Sequence, residues 1–142
     1  MLKSIWMMVI VGVMIGGAAG CLTRLLIVRF ASRIAWIPAG LGVYLGTSIA
    51  NVLGCLLIGM LVGWLRSFES HAPTPISEPL RIAAQTGVLG GLTTFSSFIM
   101  EAVGLFDEGR TAVLIAYLTA NLLGGLLAFL LGCGMMNWYA QG

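Results

Sequence analysis

The sequence predicts an all-α membrane protein of four transmembrane helices, the third of them broken near its centre. Three observations predict it. Charged residues make up only 8% of the 142-residue chain and the mean hydropathy is +1.03, whereas a soluble domain covers its surface with about 25% charge. The apolar residues, 59% of the total, gather into four stretches, each long enough to cross about 30 Å of hydrocarbon as a helix. Inside the third stretch, the run Gly87-Val88-Leu89-Gly90-Gly91-Leu92-Thr93-Thr94-Phe95-Ser96-Ser97-Phe98 places three glycines and four small hydroxyl residues together. Such a run interrupts helical packing or bares backbone groups, and hydrocarbon tolerates those only where they face protein, an ion or water. The chain reads as one domain over residues 1–142, with spans at about 4–28, 41–65, 80–103 and 111–136.

The first span opens like a secretory signal, with Lys3 ahead of an apolar run. That run outlasts the usual core of about 7–15 residues, so it reads as a retained helix. Gly12, Gly16 and Gly20 recur every four residues and share one face, a small-residue stripe that lets helices approach closely in lipid. Arg24 continues that spacing near the helix end, where a guanidinium must snorkel or pair. It is either an interfacial anchor, like Arg29 and Arg33, or an anion-attracting residue at a pore mouth. Residues 29–39 form a basic turn containing Pro38.

In the second span, Gly42, Gly46, Ala50 and Gly54 form a small stripe beside a polar one of Thr47, Asn51 and Cys55. A carboxamide in mid-span must find a partner, so Asn51 either bonds a neighbouring helix or lines a polar pathway. Residues 66–79, with Arg66, Glu69, His71, Glu78 and three prolines, read as a solvent-exposed loop.

The third span carries Phe95 and Phe98 three residues apart, on one face of a helix that resumes at Thr94. They make ordinary lipid or core contacts, or they serve an anion. A phenyl ring edge carries partial positive charge, and a small anion fits between ring edges and the hydroxyls of Thr94 and Ser97. Glu101, near the span's end, faces either water or a permeation path. Asp107, Glu108, Gly109 and Arg110 make a short turn.

The fourth span has small residues at Ala116, Ala120, Gly124, Ala128 and Gly132, beside Tyr117, Asn121 and Gly125. Tyr117 and Asn121, one turn apart, suggest a hydrogen-bonding ladder. Trp138 and Tyr139 follow as an interfacial belt would, and Trp6, Trp36 and Trp64 also sit near expected helix ends. Cys21, Cys55 and Cys133 show no metal-type spacing, and His71 has no partner pattern. No zinc or haem site is expected, and no nucleophile-base set or nucleotide loop suggests an enzyme.

Residues 50–57 echo residues 120–127 at six of eight positions, at an offset of 70, and Gly17, Gly20, Leu22 and Thr23 match Gly87, Gly90, Leu92 and Thr93 at the same offset. A repeat of two hairpins would relate the halves in parallel. The positive charges give no orientation: Lys3, Arg66 and Arg81 stand on one side, and Arg29, Arg33 and Arg110, with Arg24, on the other. A chain so balanced can insert both ways and pair with an inverted copy. Four helices also enclose little room for a conduit, and the small-residue stripes offer contact faces, so a homodimer is the economical expectation.

The run Gly90-Gly91-Leu92-Thr93-Thr94-Phe95-Ser96-Ser97-Phe98, with Asn51 and Gly54, Gly20 and Arg24, and Tyr117 in order, resembles the CrcB/Fluc family of fluoride ion channels. The resemblance covers essentially the whole chain. It implies a passive, selective fluoride export channel in the cell's inner membrane, built as an antiparallel homodimer with two pores. It implies that Phe95 and Phe98 offer ring edges to fluoride, that Asn51 donates to the anion or orients the rings, and that Thr94, Ser97, Tyr117 and Asn121 belong to the pore. Family members can carry a small hydroxyl residue where this chain has Asn121. Arg24 would lie at a vestibule and Glu101 beside the pore. A structural Na+ would be held by backbone carbonyls of Gly90 and Thr93 from both subunits. The expected partners are a second copy, fluoride and membrane lipid, with no nucleic acid. The competing reading is a small dual-topology multidrug or cation transporter. It needs a carboxylate within the membrane, and spans one, two and four have none.

Overall fold

The computed structural model describes residues 2–34, 38, 40–71 and 77–141. Every regular element among them is a helix. Helices α1 (Leu2–Ala31) and α2 (Leu41–His71) are unbroken. The third span is assembled from α3 (Glu78–Ile82), a π-helical stretch Ala83–Leu89, the single turn α4 (Gly90–Leu92) and α5 (Phe95–Asp107). The fourth joins α6 (Thr111–Thr119) to α7 (Gly125–Gln141) through a second π-helical stretch, Ala120–Gly124. Four stretches, Lys3–Ala31, Leu41–Arg66, Glu78–Asp107 and Thr111–Tyr139, are long and apolar enough to cross a membrane.

The helices outrun the spans expected from hydropathy. Helix α2 carries on through Arg66 to His71 and α5 through Asp107, although residues 66–71 and Asp107 were expected in connections. Nothing between residues 65 and 71 breaks a helix, and an interfacial turn beyond the hydrocarbon accepts charge. Pro79 sits in the first turn of α3, where its missing N–H is no loss. The expected loop prolines Pro73 and Pro75, and Trp36, lie outside the described residues. Gly109, with φ of 67°, turns the chain between α5 and α6.

The glycine stripes set the packing. A Cβ added at Gly12 would stand 2.8 Å from the Ala83 side chain, and one at Gly16 would stand 3.0 Å from the Ala83 oxygen and the Val88 nitrogen. One at Gly20 would strike the Val88 carbonyl and lie 2.8 Å from the Leu92 nitrogen. Helix α1 therefore runs backbone against backbone along the first π-helical stretch and α4. Gly42 and Gly46 seat α2 on the end of α1, at Ser32 and Val28, while Gly59 and Gly63 meet Phe129 and Cys133 of α7. In lipid, where burying apolar surface drives nothing, such contacts hold helices together. Large apolar residues such as Met14, Phe30 and Leu131 accordingly face outward, and the buried cluster of Phe98, Ala102, Leu105 and Tyr117 is small.

Candidate functional site at the break in the third span

The third span opens at two residues. Thr93 (φ −84°, ψ 153°) and Thr94 (φ −149°, ψ 118°) are extended. The glycines before them remain helical, and the helix resumes at Phe95, one residue later than expected. Threonine suits both tasks here. Its branched Cβ favours extended backbone, and its hydroxyl caps a helix: the Thr94 Oγ1 accepts the Ser97 N–H at 3.2 Å. The glycines serve close approach instead. A Cβ at Gly91 would lie 2.7 Å from the Gly17 carbonyl.

Asn51 closes the opening. Its Oδ1 accepts the Thr94 N–H at 2.8 Å, and its Nδ2 donates to the Thr94 carbonyl at 3.2 Å. The carboxamide thus pairs with a peptide group as a neighbouring strand would. In an unbroken helix the Thr94 N–H would go to the Gly90 carbonyl, which here loses that donor. The Thr93 N–H and hydroxyl both go to the Leu89 carbonyl, each at 3.0 Å.

The second hydrogen of Asn51 Nδ2 goes to Asn121 Oδ1 at 2.8 Å. Asn121 Nδ2 in turn donates to the Tyr117 carbonyl and to Ser48 Oγ, each at 2.9 Å. A peptide carbonyl only accepts, so Asn121 must turn its Nδ2 to Tyr117 and its Oδ1 to Asn51. That choice orients Asn51 as well. One turn away, Glu101 accepts the Tyr117 hydroxyl at 2.6 Å and the Thr47 hydroxyl at 3.0 Å. A row of rings runs beside these groups, with centroid separations of 5.8 Å for Phe95 and Phe98, 5.3 Å for Phe98 and Tyr117, and 5.5 Å for Tyr117 and Tyr44. Phe98 is buried, while Phe95 is 71% exposed on the outer surface.

Two pockets meet at the break. One of about 340 Å³ is lined by Asn51, Gln85, Thr93, Phe95, Phe98 and Asn121, among others. The other, of about 240 Å³, is lined by Arg24, Thr47, Ser97 and Glu101. Thr94 lines both. The first gathers Asn51, Thr94, Phe95, Phe98 and Asn121, together with Gly90 and Thr93. The second gathers Arg24, Ser97 and Glu101. Tyr117 lines neither but bonds Glu101 and packs on Phe98. The Arg24 guanidinium reaches Cys21 Sγ at 3.7 Å, one turn back on its own helix.

Sequence reasoning passed over Gln85 and Ser48. Gln85 satisfies the rule that singled out Asn51, a carboxamide inside a span. Ser48 lies three residues before Asn51 and so on the same face.

These features define a class: a multi-pass helical membrane protein whose third span is opened at its centre and held open by a carboxamide from the second. Comparison with known proteins then gives the family. The family model described as "CrcB-like protein, Camphor Resistance (CrcB)" matches residues 11–133. A protein of Azotobacter vinelandii named "Fluoride-specific ion channel FluC" is 41% identical over 122 residues, covering 84% of this chain and 90% of that one. A Pseudomonas putida protein of the same name is 39% identical over 131 residues, covering 91% and 97%. A Chloroflexus aurantiacus protein, again of that name, is 39% identical over 94 residues, covering 66% and 71%. The chain belongs to the CrcB family.

Proposed function

We propose that the chain is a passive fluoride-selective channel of the cell's inner membrane, letting fluoride leave the cytoplasm. The observation that carries this is the identity of about 40%, over most of both chains, to relatives that share one name. The geometry at the break supports it. Fluoride is small and strongly hydrated, so a pore must replace its water with close donors. Arg24 would attract the anion into the smaller pocket. Ser97 lines that pocket, and Thr94 lines both it and the pocket of the two phenyl rings, whose edges are electropositive. Hydroxyls at Thr94, Ser97 and Tyr117 reach a passing ion by rotating about one bond, exchanging an intrachain acceptor for the anion. Asn51, which clamps Thr94, would orient the rings, and Asn121 would hold Asn51 in place. Glu101 holds Tyr117 in place beside the path. Chloride, larger and less hydrated, fits such a path poorly.

An antiparallel homodimer would complete the pores. The balanced charges allow both insertions, and the exposed face of Phe95 and Gly90 lies beside the larger pocket. The carbonyls of Gly90 and Thr93, near the break, suit a hard cation that takes oxygen ligands. Sodium held there from two copies would supply positive potential beside the anion's route. Purified protein reconstituted in liposomes should release trapped fluoride and retain chloride and cationic dyes. Vesicles that hold their fluoride would sink the proposal. If sodium is structural, replacing it with an organic cation should lower both dimer content and flux; unchanged assembly and flux would remove the sodium site alone.

A further inference from the structure

We infer that the Gln85 carboxamide is a further hydrogen-bond donor to the permeating anion, in the pocket where Phe95 and Phe98 stand. The inference rests on the fluoride reading above and deepens it. It follows from asking which donors of that pocket are already committed. Both hydrogens of Asn51 Nδ2 go to the Thr94 carbonyl and Asn121 Oδ1. Both of Asn121 Nδ2 go to Ser48 Oγ and the Tyr117 carbonyl. The Thr93 hydroxyl donates to the Leu89 carbonyl and the Thr94 hydroxyl to Ser97 Oγ. Cys55 offers only a weak thiol donor. Gln85 is different: it lines the same pocket, is half-buried, and its side chain has no hydrogen-bond partner among the described residues.

A primary carboxamide inside a span is costly without a partner. Gln85 also stands in the π-helical stretch Ala83–Leu89, where its carbonyl accepts the Gly90 N–H five residues on. Such widened turns recur at functional sites. Two N–H groups on a flexible stem, beside two ring edges and unclaimed by the chain, suit a small anion shedding water. Asn51 and Asn121 can then remain locked on the break while the ion passes.

The test compares two substitutions in full-length protein reconstituted in liposomes. Gln85→Met keeps the length and removes the donors; Gln85→Asn keeps the donors and removes a methylene. Fluoride efflux should fall about tenfold in Gln85→Met, as expected for losing one hydrogen bond to a charged group. It should stay within about threefold of wild type in Gln85→Asn. Both should run on size exclusion as wild type does. Wild-type flux in Gln85→Met overturns the inference, as does a faster Met than Asn variant, which would mark Gln85 as packing. Loss of assembly in Gln85→Met also overturns it, since the amide would then bond a second copy. Wild-type protein that passes no fluoride would instead remove the fluoride reading itself.

Discussion

Residues 50–57 and 120–127 are nearly the same eight residues, and they stand side by side at the centre of the molecule. The first set is plain α-helix inside α2, whereas the second opens into a π-helical turn at Ala120–Gly124. Their asparagines, 70 residues apart, bond to each other and otherwise face opposite ways. Asn51 reaches across to the broken peptide at Thr94, while Asn121 turns back onto the Tyr117 carbonyl of its own span. A π turn and a side chain set into the helical ladder both disturb a helix, and the two coincide at Asn121. The glycines diverge too. A Cβ at Gly54 would strike the Thr93 side chain, whereas one at Gly124 would rest 3.5 Å from Val52. The motif specifies a helix with one mid-span amide in both places. What that amide does depends on what lies opposite: an opened backbone for Asn51, an intact α2 for Asn121.

The sharpest test is Asn51→Leu. It leaves the Thr94 N–H without its acceptor and frees Asn121 Oδ1, at about 1–3 kcal/mol for each orphaned group. Fluoride flux should vanish, and the melting temperature in detergent should fall further than in Gly20→Ala or Asn121→Leu. A stable Asn51→Leu protein with an unaltered break would contradict the clamp. Gly20→Ala should come next. It drives a methyl into the Val88 carbonyl and separates α1 from the third span, at roughly 1–3 kcal/mol. Its counterpart at the same offset, Gly90→Ala, meets only the Gln85 carbonyl at 3.6 Å and should leave the subunit's own fold intact. Equal losses in the two would dissolve the contrast between the halves.

Asn121→Leu should cost less than Asn51→Leu, about 1 kcal/mol, because Asn51 keeps both of its bonds to Thr94, the Tyr117 carbonyl keeps the Ala120 N–H, and Ser48 Oγ sits on a side chain that can turn elsewhere. The double variant should cost little more than Asn51→Leu alone, since one network is broken in both. Strict additivity in thermal unfolding would show that the two amides act separately.

The span count, the glycine seams and the presence of a break were legible because each follows from a local rule about lipid. Gly12, Gly16 and Gly20 announce close packing by spacing alone. The place of the break was less legible: glycines and threonines share the run, and only the packing of α1 shows that Gly87 and Gly91 are needed for approach, leaving Thr93 and Thr94 to open the chain. The helix ends were misjudged because hydropathy marks the edge of hydrocarbon, not the end of hydrogen bonding. The partners of Asn51 and Glu101 lie 16 to 70 residues away in sequence, and no local pattern names them. Gln85 was within reach, had the mid-span carboxamide rule been applied to the third span as to the second.

The smallest effect separates Gly54 from Gly124. Gly124→Ala puts a methyl at ordinary contact distance from Val52, and alanine is the better helix former by about 1 kcal/mol. Its melting temperature should match or slightly exceed that of wild type, and its flux should be unchanged. Gly54→Ala gains the same propensity but presses on the Thr93 methyl. Thr93 can yield only by turning its side chain, which would give up its hydroxyl bond to Leu89, or by shifting the opened backbone that Asn51 grips. The two effects nearly cancel in stability, so the difference should appear in transport: slower fluoride efflux in Gly54→Ala, at a melting temperature within a few degrees of wild type. If Gly124→Ala is the one that slows efflux, the second motif and not the first governs the break.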